Sequence, residues 1–213
     1  MKPTDKVWLR RQWDDLMAFY GVDLAQAEPV WLDVVGHYEG NGRYYHTLRH
    51  IQNVLAFIDS AHDHAVDLPS IKLAAWFHDV IYDVHRSDNE TQSAIYAGRV
   101  LQKLGVPADT IAKVGYMIRA TKHNLGCPDD IDCQIMLDAD LATFASEWEV
   151  QIEIEEAIRQ EYAFVPEADY RAGRQIILQN FLKRERIYCT PQMYAEREEA
   201  ARQNIKRTVA ALD

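Results

Sequence analysis

The sequence predicts an all-α chain. Glycine and proline number only nine and seven in 213 residues, and most fall between periodic segments rather than inside them. Apolar residues recur at helical spacing along nearly the whole length. No alternating apolar–polar run of useful strand length, no internal repeat and no low-complexity linker interrupts that pattern.

The elements follow in order. Trp8, Leu9, Trp13, Leu16 and Tyr20 repeat as one helical face. A second helix is expected from Pro29, a residue suited to a first turn, carrying Trp31, Leu32, Val35 and Tyr38, with Gly36 weakening its end. The loop EGNGR, 39 to 43, then breaks the chain. From Thr47, the positions Leu48, Ile51, Val54, Leu55 and Ile58 make a long amphipathic helix, and His46 and His50, four apart at its start, are expected to stack on one face. Pro69 and Ser70 open the next helix, where the run from Ile71 to His78 is apolar nearly all round, as in a central buried helix. Helices at 87 to 104 and 107 to 121 follow, the first opening on a capping box from Ser87 to Glu90, and then a loop through Gly126 and Pro128. Four more are expected at about 135 to 146, 149 to 163, 167 to 184 and 191 to 211. A chain of this length accommodates one domain with a sizeable core and does not require two.

Hydrophobic residues at 48% and charged residues at 26% are the balance of an ordinary globular protein. A net charge of -10 argues against a nucleic-acid polymer as partner, which wants a basic face. It still admits a small phosphorylated substrate, because a metal ion can supply positive charge locally. The first residues, MKPTDKVWLRRQWDDLM, lack the apolar run and cleavage site of a secretory signal, and no window approaches the ~20 apolar residues of a membrane span. Cys127, Cys133 and Cys189 are odd in number and form no CxxC pair, so reduced thiols in a cytoplasmic protein are expected, with no membrane partner and homo-oligomerisation left open.

Three short polar interruptions of apolar helices carry the chemistry. The first is YYHTLRH, 44 to 50; the second is AAWFHDVIYD, 74 to 83; the third is MLDADLATF, 136 to 144. A carboxylate at the end of so apolar a helix as the second needs a partner, because its uncompensated burial is costly. Segments this rich in His and Asp suggest convergence on one cation.

Together they resemble the HD superfamily of metal-dependent phosphohydrolases, whose pattern is a histidine, a His-Asp doublet and a distant aspartate. The resemblance spans about 40 to 145, extends more weakly to the C-terminus, and is greatest to a small bacterial group with YHTLRH-like, FHDVIYD-like, DNETQSA-like and LDADL-like segments. It implies a single-domain HD-type helical bundle over 1 to 213, with the metal-site core at about 40 to 145 and a helical extension at about 149 to 213. Residue by residue it assigns His50, His78, Asp79 and Asp140 as metal ligands. Asp138 and Asp140 point to different sides of a helix, and the family's Ala-Asp-Leu arrangement selects Asp140, leaving Asp138 to cap the helix or stand behind the ligands.

Two imidazoles and two carboxylates suit one divalent transition-metal ion (Mn, Fe, Co, Ni or Zn, with Mg admitted) better than Ca. The implied activity is hydrolysis of a phosphate ester of a small molecule, a nucleotide or related compound, by attack of a metal-bound water. In the related cyclic-nucleotide phosphodiesterases, which share a similar YH-x-x-x-H segment, the first histidine protonates the leaving group. That makes His46 a candidate general acid, the other reading being a residue that orients its neighbours. Asp83 is a candidate to orient or deprotonate the attacking water, or else a surface acid. Glu90 either belongs to the capping box or supports the ligands. Lys122 and His123 are candidate phosphate contacts, though cations at a helix C-terminus need no such reason.

His37, His62, His64 and His85 read as surface or loop residues. Some HD proteins bind a second metal through two further histidines between the doublet and the last aspartate; only His85 and His123 lie there, and His85 sits in the turn-like stretch DVHRSDN, which favours one ion. An HExxH protease is disfavoured because HTLRH lacks the glutamate. An HD-type di-iron oxygenase needs a fuller histidine set, and a nucleotide-binding regulatory module without turnover predicts a missing ligand. The basic, aromatic segment 161 to 188 is expected to pack through Ile176, Ile177, Phe181 and Leu182, with closure over the pocket as the other reading.

Overall fold

Asp5, Asp23, Asp67, Asp130 and Thr190 each place a side-chain oxygen on a backbone N–H of the turn that follows, and so set where five helices begin. The computed structural model describes residues 4–124 and 126–212, and among them it is all-helical. In chain order the helices are α1 (Lys6–Phe19), α2 (Leu24–Tyr38), α3 (Leu48–Ser60), α4 (Leu68–Phe77), α5 (Asn89–Lys103), α6 (Ala108–Ala120), α7 (Ile131–Leu141), α8 (Trp148–Glu161), α9 (Glu167–Leu182) and α10 (Pro191–Ala211). A short 3-10 turn, Ala142–Ala145, continues α7.

Several expected boundaries shift, each for a local reason. Helix α2 starts at Leu24 rather than Pro29, because Asp23 caps it upstream and the proline is carried inside the helix. Helix α7 starts at Ile131 rather than 135, because Asp130 accepts from the Cys133 N–H. The capping box at Ser87 and Glu90 does not form: Asp88 is the N-cap, and its carboxylate is held by Arg86 and Gln92. After α5, Gly105 adopts φ +77°, and the Val106 N–H returns to the Leu101 carbonyl at 3.0 Å, a turn that favours glycine.

Helix α4 is the centre, with Ile71, Leu73, Trp76 and Phe77 fully buried among α1, α3, α6 and α7. Trp13, Trp31 and Trp76 pack edge-on or tilted with ring centroids 5.6–6.1 Å apart. The Tyr38 hydroxyl donates to the Trp76 carbonyl at 2.9 Å, which ties α2 to the end of α4. A smaller apolar cluster joins Leu141 and Phe144 to Leu178, Phe181, Tyr188 and Ile205, so α9 and α10 dock beside the end of α7.

Cys127 and Cys189 are bonded, with Cα atoms 5.2 Å apart across 62 residues, and Cys133 is free and buried. This corrects the expectation of three reduced thiols. The partners lie on the loop after α6 and just before α10, and only tertiary packing brings those segments together. No described helix is long and apolar enough to cross a membrane.

Candidate metal centre and its cavity

His50 comes from the first turn of α3, His78 and Asp79 from the end of α4, and Asp140 from the last turn of α7. The packing of α4 against α3 and α7 brings these ends together. The His78 Nδ1 lies 2.9 Å from the Ala75 carbonyl, which can only accept, so Nδ1 carries a hydrogen and the neutral ring has its lone pair on Nε2. That lone pair faces the His50 Nε2 at 3.1 Å, the Asp79 Oδ2 at 3.1 Å and the Asp140 Oδ1 at 3.4 Å. The His50 Nε2 is 3.1 Å from the Asp140 Oδ1 and 3.8 Å from the Asp79 Oδ2.

His50, His78 and Asp140 form a group that could hold a metal ion. The chemistry of the donor set fits one. Two buried ring nitrogens this close need a proton or a cation between them, and donors 3.1–3.4 Å apart subtend roughly 95–110° at an ion about 2.1 Å from each. The His50 Nδ1 is buried without a hydrogen-bond partner, so among the described residues the contacts of this ring are made through Nε2, at the cluster. The electrostatics also favour positive charge. Burial alone would lower the pKa of His78, yet the charge of Asp79 and the contacts to both carboxylates raise it well above the usual histidine range. Burial alone would raise Asp140, but its bonds to His123, His50 and His78 hold it well below the usual carboxylate range. Asp79 is likewise lowered, against burial, by the charges of His78 and His46.

His46 is not on the helix. Thr47 is the N-cap of α3, so the two histidines are no i, i+4 pair on one face, which corrects that expectation. The cause is Glu161, whose Oε1 accepts from the backbone N–H groups of Tyr44, Tyr45 and His46 at 2.8–2.9 Å and holds the segment outside the helix. Its Oε2 lies 2.7 Å from the His46 Nδ1 and accepts from the Tyr82 hydroxyl at 3.0 Å. Tyr82 stacks on the His46 ring at 4.0 Å between centroids, and the free edge of the imidazole faces Asp79, with Nε2 3.9 Å from Oδ2. Arg43 donates to the carbonyls of His46, Asp79 and Val80, joining the loop before α3 to the doublet.

The other candidates divide. The His123 Nε2 lies 2.8 Å from the Asp140 Oδ2, so this ring joins the cluster through a carboxylate. Lys122 does not join it: its Nζ donates to the Ser87 carbonyl outside the cavity. Asp83 is exposed, and its carboxylate accepts from the His85 N–H within a turn. Glu90 lines the cavity. Asp138 faces the opposite side of α7, where it accepts from the Cys189 and Thr190 N–H groups and the Thr190 hydroxyl at 2.6–2.8 Å and supports the start of α10. The His85 ring lies against Phe164, outside the cluster.

Above the cluster is a cavity of about 550 Å³, with Asp79, Asp140, His46 and His123 at one side and residues of α8 and α9 at the other. Helix α9 contributes Tyr170, Gly173, Arg174, Ile177 and Phe181 to its wall. The basic C-terminal segment therefore covers the cluster instead of only packing: Ile176 and Ile177 are 60% and 49% exposed. Sequence reasoning missed Glu161, Arg43, Tyr82 and Arg174. Glu161 is one acid among many on α8, and Arg43 lies in a polar loop, so neither carries a local mark of its role. None of the family models, curated proteins or solved structures compared with the chain matches it.

Proposed function

We propose that the protein is a metal-dependent phosphohydrolase of the HD type, cleaving a phosphate ester of a small molecule, a nucleotide or related compound, with His50, His78, Asp79 and Asp140 holding one divalent transition-metal ion. One observation carries the reading: donor atoms of His50, His78 and Asp140, from three different helix ends, converge within 3.1–3.4 Å, with the Asp79 Oδ2 3.1 Å from the His78 Nε2, at the side of a cavity sized for a small molecule. A bound divalent ion supplies a positive charge that lowers the pKa of its water and polarises a phosphoryl oxygen.

The chain's own residues do the rest. Glu161 engages the His46 Nδ1 and fixes the ring so that its Nε2 lies beside Asp79, the position from which this imidazole would protonate a leaving-group oxygen. Stacking on Tyr82 fixes the plane of that ring. Arg43 holds the backbone of the doublet against the loop that carries His46. Asp83 has no part in this reading, since its carboxylate is spent on a surface turn.

The test loads the protein with Mn, Fe, Co, Ni or Zn in turn, measures bound metal by elemental analysis, and assays nitrophenyl phosphate and a nucleotide panel. One equivalent of metal with turnover is expected, and Asp79→Ala should lose both while keeping its helical circular dichroism. A full equivalent of metal in that variant overturns the ligand assignment. Bound metal without turnover of any ester would instead identify a binding module, and iron-dependent consumption of dioxygen an oxygenase.

A further inference from the structure

The side of the cavity facing the metal cluster is apolar. Leu141 and Phe144 contribute from the end of α7, Ile154 and Ile158 from α8, and Ile177 and Phe181 from α9. Ile177 stays 49% exposed at this wall, a large apolar side chain left facing the open space.

The cavity is also poor in free cations. Among the described lining residues the one permanent cation is Arg174, and its Nε and Nη2 are already bonded to both oxygens of Glu155 at 2.9 and 2.6 Å, with the two side chains 12% and 17% exposed. Lys122 points elsewhere, to the Ser87 carbonyl. The lining includes four carboxylates, of Asp79, Glu90, Asp140 and Asp169. A divalent ion held at the cluster would be neutralised by the first and third of these and would attract one phosphoryl group. A second or third phosphate would meet Glu90 or Asp169 with no free guanidinium or ammonium to receive it, whereas polyphosphate sites rely on such donors.

Resting on the phosphohydrolase reading, we propose that the substrate is a monophosphate ester of an apolar alcohol or phenol. Its phosphoryl group would sit at the metal cluster and its aromatic or branched carbon body against the wall made by α8 and α9. Nucleoside di- and triphosphates are excluded. Affinity comes from apolar area removed from water at that wall, so lengthening the body at constant charge strengthens binding.

The test measures binding by calorimetry to the Mn-loaded full chain, independently of turnover, with naphthylmethylphosphonate, methylphosphonate and ADP. The naphthyl compound should bind at least about tenfold more tightly than either of the others, from burial of its rings. Ile177→Gln, at a half-exposed position where folding is not at stake, should cut the naphthyl-to-methyl ratio several-fold with bound Mn unchanged. Equal affinity for the naphthyl and methyl compounds, tighter binding of ADP, or an unchanged ratio in Ile177→Gln overturns the substrate class. The underlying reading fails separately, if naphthyl phosphate, nitrophenyl phosphate and nucleoside monophosphates are hydrolysed no faster by the Mn-loaded protein than by Asp79→Ala. The binding ratios still decide the class of ligand in that case.

Discussion

Replacing Glu161 with glutamine changes one buried oxygen into an amide nitrogen and leaves the shape of the side chain intact. The carboxylate accepts three backbone N–H groups, the Tyr82 hydroxyl and the His46 ring, and its side chain is fully buried. Burial would raise its pKa, but the bond and the charge of His46, followed by the backbone donors, bring it down from an ordinary 4.5 to about 2. At about 1.4 kcal/mol per pH unit, that difference is worth on the order of 3 kcal/mol of folding stability at neutral pH. The sign follows from a depressed acid. The contribution is complete above pH 4.5 and is lost as the pH falls through about 2. Glutamine resembles the protonated acid, so Glu161→Gln should be less stable by about 3 kcal/mol at pH 7 and by less than half of that at pH 3. Urea unfolding followed by circular dichroism at both pH values measures this. A difference under about 0.5 kcal/mol at pH 7, or one that grows on acidification, would refute the reasoning, because no charge-dependent anchoring of the segment would then exist.

His46→Ala should keep its metal and lose turnover by roughly 10²–10⁴-fold for esters with poor leaving groups, and by less for a nitrophenolate ester; metal loss would put both imidazoles on the ion. Asp138→Asn sets an amide nitrogen against donors of Cys189 and Thr190, so it should cost about 2–3 kcal/mol in urea unfolding while bound metal is unchanged; a fall in metal content would return Asp138 to the metal site. Breaking the Cys127–Cys189 bond, whose partners are 62 residues apart, should lower stability by about 4 kcal/mol on the chain-entropy model, read as a lower urea midpoint with reductant; three titratable thiols in unfolded, unreduced protein would show that the bond is absent.

The sequence by itself determined the helical class, the central place of α4, and the segments that meet at the cluster. Helical periodicity and caps are local: Asp67 and Thr190 act within a turn of themselves, and the run from Ile71 to Phe77 is buried because, Lys72 apart, it is apolar all round. The polar interruptions of apolar helices marked the segments, the family resemblance singled out His50, His78, Asp79 and Asp140 within them, and the donors of His50, His78 and Asp140 do converge. Where an upstream aspartate competed with a more obvious marker, as at Asp23 against Pro29 and Asp130 against the acids of α7, the boundary was misplaced by a few residues. Only the tertiary structure decided that Glu161, 115 residues from His46, draws the first histidine off the helix and holds its ring. Only it decided that Cys127 meets Cys189, and that α9 covers the cavity with an apolar wall and an already paired Arg174. Each of these depends on a contact between segments distant in the chain, and the residues that make such contacts are ordinary within their own helix or loop. Periodicity reports which side of an element is buried, and the folded chain alone decides against what.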